Sequence, residues 1–204
     1  MKKLSKYIVI LLLLNFSFNN VIFAQTKSKK SKSNTISRNK IEQMIHKEFG
    51  PKIEVDKDNS YYLQGDFNAD GKLDIAVMVH PDEAKDQITS YNVKFRDTNP
   101  SSPRVGLPLD PAEEMGKSCV GIAIAHGGVG GWDKEVAEKY ILYSCYTSFR
   151  LVPKGTKIRR GAGSEGHTPR PKGDSIFLEH ETHGNGIVYW NGKTYLSFSQ
   201  DQGD

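Results

Sequence analysis

The clearest helical pattern in the chain begins after Ser37. Four apolar residues recur there at intervals of three and four, which places them on one face of an α-helix. They are Ile41, Met44, Ile45 and Phe49. The hydroxyl of Ser37 can cap the start of this helix, and Gly50-Pro51 can end it. The pattern therefore predicts one amphipathic helix between Ser37 and Gly50.

Beyond residue 51 the hydrophobic pattern changes to short apolar and β-branched runs, which are typical of strands. The predicted strands are Lys52–Val55, Tyr61–Gly65, Leu73–Val79, Asn92–Phe95, Cys119–Ala125, Tyr140–Tyr146, Thr156–Arg159, Ser175–Glu181, Gly186–Trp190 and Lys193–Phe198. The last two flank Asn191-Gly192, which favours a type I′ hairpin turn because both central residues of that turn need positive φ. The sequence predicts an α+β fold, with the helix packed on a mostly antiparallel sheet.

Apart from the short run Asn92–Phe95, two stretches are interrupted too often by turn residues to predict strands with the same rules. Residues 81–116 contain five prolines, and residues 160–173 contain four glycines and Pro169-Arg170-Pro171. Such compositions are typical of surface loops. We expect long loops on one side of the domain.

The first 24 residues have the pattern of a secretory signal peptide. Lys2, Lys3 and Lys6 precede the apolar run Tyr7–Leu14, and the segment ends at the small residue Ala24. An apolar core of about 8–12 residues is shorter than the ~20 that span a bilayer, so we predict cleavage after Ala24. The protein is expected to be exported, to the periplasm or out of the cell, with no membrane span after cleavage.

The charge distribution separates a basic linker from a nearly neutral domain. Residues 25–35 carry four lysines among serines and threonines, a composition that predicts a disordered linker. Seven of the 28 basic residues precede residue 36, and none of the 24 acidic residues does. The remainder is therefore close to neutral, which argues against nucleic-acid binding. Residues 36–204 are enough for a single α+β domain.

The most specific motif is the run GDFNADGKLD at residues 65–74, followed by the strand-like IAVMV. Counted from Asp66, oxygen-bearing side chains lie at positions 1, 3, 5 and 9, and Gly71 at position 6 can take positive φ. Calcium takes about six to eight hard oxygen ligands, and the backbone carbonyl at position 7 can supply one of them. The predicted calcium ligands are Asp66, Asn68, Asp70, Asp74 and the carbonyl oxygen of Lys72. We call Asp66–Asp74 the calcium-type loop.

This motif resembles the β-hairpin calcium loops of FG-GAP and VCBS-type repeats. In those loops an Asp at position 9 ligates directly and a strand of the form D-[ILV]-A-V follows, as Asp74-Ile75-Ala76-Val77 does here. The bidentate Glu that EF-hands carry at position 12 is replaced by Val77. The motif occurs once, so the resemblance implies a local calcium loop and no β-propeller. The wider pattern looks like small exported bacterial proteins and implies no activity.

Three patterns leave alternatives open. The calcium-type loop also fits a metal-free turn whose Asp and Asn side chains accept hydrogen bonds from amides. Cys119 and Cys145, the two cysteines of the chain, can form a disulfide after export or remain buried thiols. Glu54, Asp56 and Asp58 alternate along one predicted strand face and are interpreted as a solvated face, with a second metal site as the alternative.

Histidines supply the remaining candidate chemistry. His180 and His183 are three apart in a predicted strand and so point to opposite faces, which disfavours a shared metal. His126 opens the glycine-rich loop His126–Asp133, which lacks the P-loop ending and is interpreted as a flexible connection.

Three functional hypotheses follow. The first is an exported, calcium-stabilised, non-enzymatic module that binds an unknown protein or cell-envelope component. The alternatives are an exported hydrolase with a site around His126–Asp133, and an inhibitor of a foreign enzyme.

Overall fold

The computed structural model describes residues 36–57, 61–81, 84, 88–97, 120–143, 146–159, 168–180 and 185–200. The chain divides into the units Met1–Thr35 and Ile36–Asp204, and every described residue belongs to the second. The predicted signal peptide and linker, and both cysteines, lie outside the described residues. Within the described part of the chain, no helix is both long and apolar enough to cross a membrane.

Helix α1 spans Arg38–Phe49. The Ser37 hydroxyl accepts a hydrogen bond from the Lys40 amide, which satisfies one of the free donors at the helix start. The helix buries the four apolar residues from which the sequence predicts it, and Gly50 caps its end. The helical spacing of these apolar residues in the sequence therefore agrees with their burial in the structure.

The first sheet contains six of the described strands. They are β1 (Glu54–Val55), β2 (Tyr62–Gly65), β3 (Asp74–His80), β4 (Lys94–Asp97), β5 (Gly121–Gly127) and β6 (Val136–Tyr143). Their order is β1-β3-β5-β6-β4, with β2 also paired to β3. The pairing is antiparallel except between β4 and β6, which are parallel.

The second sheet is antiparallel throughout and has the order β10-β9-β8-β7. Its strands are β7 (Tyr146–Val152), β8 (Ser175–His180), β9 (Asn185–Trp190) and β10 (Tyr195–Ser199). The described fold is therefore mixed α+β in which β structure dominates, with two sheets where the sequence predicts one.

Two predicted strands are wrong. The run Tyr140–Tyr146 is not one strand: it covers the end of β6 and the first residue of β7, which lie in different sheets. Thr156–Arg159 forms no strand, and the Thr156 amide instead closes a turn on the Pro153 carbonyl at 3.0 Å.

The central strands β3 and β5 of the first sheet are buried on both faces. Alternate residues of β3 point in opposite directions. Ile75, Val77 and Val79 pack in one apolar cluster with the buried face of α1. Ala76 and Met78 pack in another with side chains of the second sheet. The strand therefore lacks the apolar–polar alternation of a half-exposed sheet.

The predicted hairpin between β9 and β10 is confirmed, but its turn is of another type. Trp190 pairs with Tyr195, so four residues connect the strands. Gly192 has φ of 102°, but among the described non-glycine residues only Ala69 and Asn92 have positive φ. Asn191 therefore does not meet the type I′ requirement. Its side-chain oxygen accepts from the amides of Lys193 and Thr194 at 2.8 and 2.9 Å and closes the loop locally.

Candidate metal centre

The calcium-type loop connects β2 to β3, as the sequence predicts. Gly65 and Asp74 form the last strand pair, and the chain reverses between them. Gly71 has φ of 82°, which confirms the positive φ expected at position 6. Ala69 also has positive φ, at 64°, so the turn places two residues in the left-handed region.

Three predicted ligands lie on the inside of this turn. The two carboxylate oxygens of Asp66 accept hydrogen bonds from the amides of Asp70 and Gly71, both at 3.0 Å. The Asn68 side-chain oxygen accepts from the same Asp70 amide at 3.1 Å. Asp70 accepts from the Lys72 amide at 2.9 Å. Because two of these oxygens share one donor, the side chains at positions 1 and 3 are close neighbours.

Asp74 has a different role from the other three side chains. It is 0 % exposed. One oxygen accepts from the Phe67 amide at 2.8 Å, and the other from the Gly127 amide at 2.8 Å. Burial raises the pKa of Asp74 to about 6, although these amides act to lower it, and the charge of Asp70 raises it further. The carboxylate thus links the loop to the end of β5.

The donor set is suited to a hard cation. Carboxylate and amide oxygens are ligands that calcium prefers, and no His or Cys lies in the loop to favour zinc. Within the described ranges, no three His, Cys, Asp or Glu side chains gather as a metal-binding group. Two of the predicted ligands, Asn68 and the Lys72 carbonyl, are not of these residue types. The carboxylate of a third, Asp74, already accepts hydrogen bonds from backbone amides. Lys72 lies with its ammonium 3.6 Å from Asp70, where a cation would compete with it.

The glycine-rich loop His126–Asp133 is a hydrogen-bonded turn and not the flexible connection expected. Besides the Gly127 amide held by Asp74, the Gly128 amide donates to the Glu135 carbonyl at 2.7 Å. The Val129 amide donates to the Glu135 carboxylate at 3.0 Å. These bonds occupy amides that an anion would need.

The structure does not join His126 to Asp133 as a hydrolase site. His126 is 1 % exposed, and its Nε2 lies 2.6 Å from the Tyr195 hydroxyl. Burial lowers the pKa of His126 to about 4, against the opposing charge of Glu138. Asp133 instead accepts from the Lys40 ammonium at 3.0 Å, and that bond is the first cause of its lowered pKa.

Sequence reasoning missed the polar and aromatic cluster around His126. The rings of Tyr140 and Trp190 lie 5.1 and 5.4 Å from the imidazole. Glu138 accepts from the Tyr140 hydroxyl at 2.8 Å and from the Lys94 ammonium at 2.9 Å. These residues come from four strands in two sheets, so no local spacing indicates them.

The interpretation of Glu54, Asp56 and Asp58 as a solvated face is wrong for Asp56. That residue is 9 % exposed, and its carboxylate lies 2.9 Å from Nε2 of His80. Glu54 is exposed, and Asp58 lies outside the described residues. Strand pairing explains the result, because Glu54 pairs with His80 and brings that imidazole beside Asp56.

Comparison with models of known protein families, with curated proteins and with solved structures gives no match. The class of protein therefore rests on the fold and on the loop. In fold it is a β-dominated α+β protein with two mostly antiparallel sheets. At the site, the described residues contain a loop in which the side-chain oxygens of Asp66, Asn68 and Asp70 accept hydrogen bonds from amides of the loop itself.

Proposed function

We propose that this chain is an exported, non-enzymatic module that binds a protein or cell-envelope component and is stabilised by calcium at Asp66–Asp74. One observation carries the calcium assignment: oxygens of Asp66, Asn68 and Asp70 all accept from the amides of residues 70–72. These three side chains are therefore held beside the same bend of the backbone before any cation binds. A preorganised set of hard oxygens favours calcium.

A bound cation would also reduce the repulsion between the negative charges of the loop. Asp66, Asp70 and Asp74 place three carboxylates within nine residues. Part of the raised pKa of Asp74 comes from the charge of Asp70, after the larger effect of burial. A divalent cation would offset that repulsion. Without a bidentate Glu we expect a dissociation constant on the order of 10⁻⁴ M.

The environment of His126 argues against the alternative of a hydrolase site around His126–Asp133. A general base must come within hydrogen-bond reach of a substrate. His126 is buried, its Nε2 contacts the buried Tyr195, and its pKa is lowered to about 4. Asp133 is held by Lys40.

Calcium titration and thermal melts test this function. At about 100-fold excess over the dissociation constant, calcium should add about 2.7 kcal/mol to the free energy of unfolding. Asp70→Ala should abolish both the binding heat and the calcium-dependent rise in melting temperature. Asp133→Ala is the matched control, since it removes an exposed carboxylate outside the calcium-type loop and should keep both signals. Absence of binding heat in the wild type, with a melt unchanged by chelator, would reduce the loop to a metal-free turn.

Export is tested separately by intact-mass measurement of the protein recovered from the producing cell. A chain that starts at Gln25 is the expected result. A chain that keeps Met1 and stays in the membrane fraction would contradict export.

A further inference from the structure

The outer side of the calcium-type loop is held by a residue that the motif does not contain. Asp174 precedes β8 and makes a reciprocal pair with Asp66. The Asp174 amide donates to the Asp66 carbonyl at 2.8 Å, and the Asp66 amide donates to Oδ2 of Asp174 at 2.9 Å. Both backbone polar groups of the first predicted ligand are therefore occupied by one residue, 108 positions away in the sequence.

The same carboxylate also bonds to the turn that follows β7, the strand paired with β8. Its Oδ1 accepts from the Lys154 amide at 2.8 Å, and Lys154 follows the end of β7. Asp174 thus connects the calcium-type loop of the first sheet to the ends of two paired strands of the second sheet.

Close backbone packing beside Asp174 reinforces this connection. A Cβ on Gly173 would lie 2.3 Å from the Asp66 carbonyl oxygen and 2.9 Å from that of Phe67. A real Cβ does not approach that closely, so only glycine lets the segment before β8 rest against the loop. The contact is built from backbone on both sides and leaves little room for the loop to shift.

We propose that Asp174 positions the calcium ligand Asp66, and that calcium binding is coupled through Asp174 to the packing of the second sheet against the calcium-type loop. The inference rests on the proposed function. With its backbone fixed from outside, Asp66 keeps both carboxylate oxygens on the inside of the turn, where they accept from Asp70 and Gly71. Partners that orient metal ligands in this way typically change metal affinity about 10- to 100-fold when they are removed. The coupling is reciprocal, so bound calcium holds the second sheet against the loop to the same extent.

Calcium titration of Asp174→Asn is the first test. Asparagine keeps the shape and one acceptor oxygen, so one of the two amide bonds is lost. We expect the dissociation constant to rise about 10- to 100-fold. Glu179→Gln is the matched control, because it removes one exposed carboxylate from β8 that bonds to Ser148 and makes no contact with the loop that the structure records. It should bind calcium with the wild-type constant.

Hydrogen exchange at the Lys154 amide is the second test and reports coupling directly. Lys154 is no ligand, yet its amide donates to Asp174. Calcium should slow exchange at this amide in the wild type and in Glu179→Gln, and the slowing should be reduced or lost in Asp174→Asn. A merely structural role for Asp174 would alter exchange equally with calcium and with chelator.

The outcomes separate the two proposals. Wild type that binds no calcium overturns the proposed function and this inference with it. Wild type that binds, with Asp174→Asn within about threefold of Glu179→Gln, overturns the inference alone. If Asp174→Asn folds only with calcium, the dissociation constant of each variant is taken from the rise of its free energy of unfolding with calcium concentration, and a constant within about threefold of that of Glu179→Gln overturns the inference.

Discussion

Backbone amides of the calcium-type loop and of the glycine-rich loop both donate hydrogen bonds to side chains, but these acceptor side chains come from different parts of the chain. In the calcium-type loop, side chains of Asp66, Asn68 and Asp70 accept from amides two to five residues ahead. In the glycine-rich loop the side-chain acceptors lie outside it, at Asp74 and Glu135. In the calcium-type loop the side-chain oxygens are gathered at the amides of the loop itself, whereas in the glycine-rich loop acceptors from outside the loop occupy the amides. We predict that only the first arrangement provides ligands for a cation.

Asp74 accepts hydrogen bonds from amides of both loops, and its removal should have the largest effect. Asp74→Ala leaves the buried amides of Phe67 and Gly127 without their acceptor. Hydrogen bonds to charged groups contribute roughly 1.5–3 kcal/mol each, so we expect a loss of about 4 kcal/mol. Chemical denaturation in chelator measures it.

Glu135→Ala is the control for Asp74→Ala, because Glu135 also accepts from an amide of the glycine-rich loop but is exposed. It should lose no more than about 1 kcal/mol. Equal losses in the two variants would show that burial does not distinguish these acceptors.

The buried His126, where β5 meets the glycine-rich loop, predicts a pH effect. Its pKa falls from 6.5 to about 4 on folding, so the unfolded chain binds the extra proton between those values. Stability from this group is present above pH 6.5 and is lost as the pH falls toward 4. The loss should reach about 3 kcal/mol.

Asp74 shifts in the opposite direction, so the wild-type curve alone does not isolate His126. The difference between wild type and His126→Gln does, since a glutamine side chain does not titrate. That difference should shrink as the pH falls from 6.5 to 4 when free energies of unfolding are measured in chelator. A difference independent of pH would contradict a buried, neutral imidazole.

Gly127→Ala tests whether close packing, more than backbone angle, restricts the glycine-rich loop. The added Cβ would lie 2.3 Å from the Leu73 carbonyl oxygen and 2.6 Å from the Trp132 amide nitrogen. Overpacking against backbone should cost about 2–3 kcal/mol. In Gly71→Ala the Cβ has no neighbour within 4 Å, and positive φ alone should cost about 1 kcal/mol. Thermal melts in chelator that rank the two variants in the reverse order would refute the steric argument.

Gly192→Val should give the smallest change. The turn is closed locally by Asn191, and a Cβ at Gly192 has nothing within 4 Å, so only its φ of 102° is strained by a β-branched residue. We expect a loss of about 1 kcal/mol, seen as a lower melting temperature. Lys193→Val, in the same exposed turn, is the control. An unchanged melt for Gly192→Val would show that the turn relaxes.

Features that depend on near neighbours were predictable from the sequence alone. Helix α1 follows from the spacing of four apolar residues and one cap, and the hairpin follows from two apolar runs around Asn191-Gly192. The inward side chains of the calcium-type loop follow from acceptors within five residues of their donors. Whether calcium occupies the loop stays a prediction.

Tertiary structure alone decided what each buried face meets. The apolar run Tyr140–Tyr146 has no local signal that its two ends belong to different sheets. His126 meets Tyr195 from 69 residues away, and Asp66 meets Asp174 from 108. Apolar periodicity determines that a face is buried, because burial depends on the residue itself. The partner depends on strand order and register across the two sheets, which no single segment of the sequence contains.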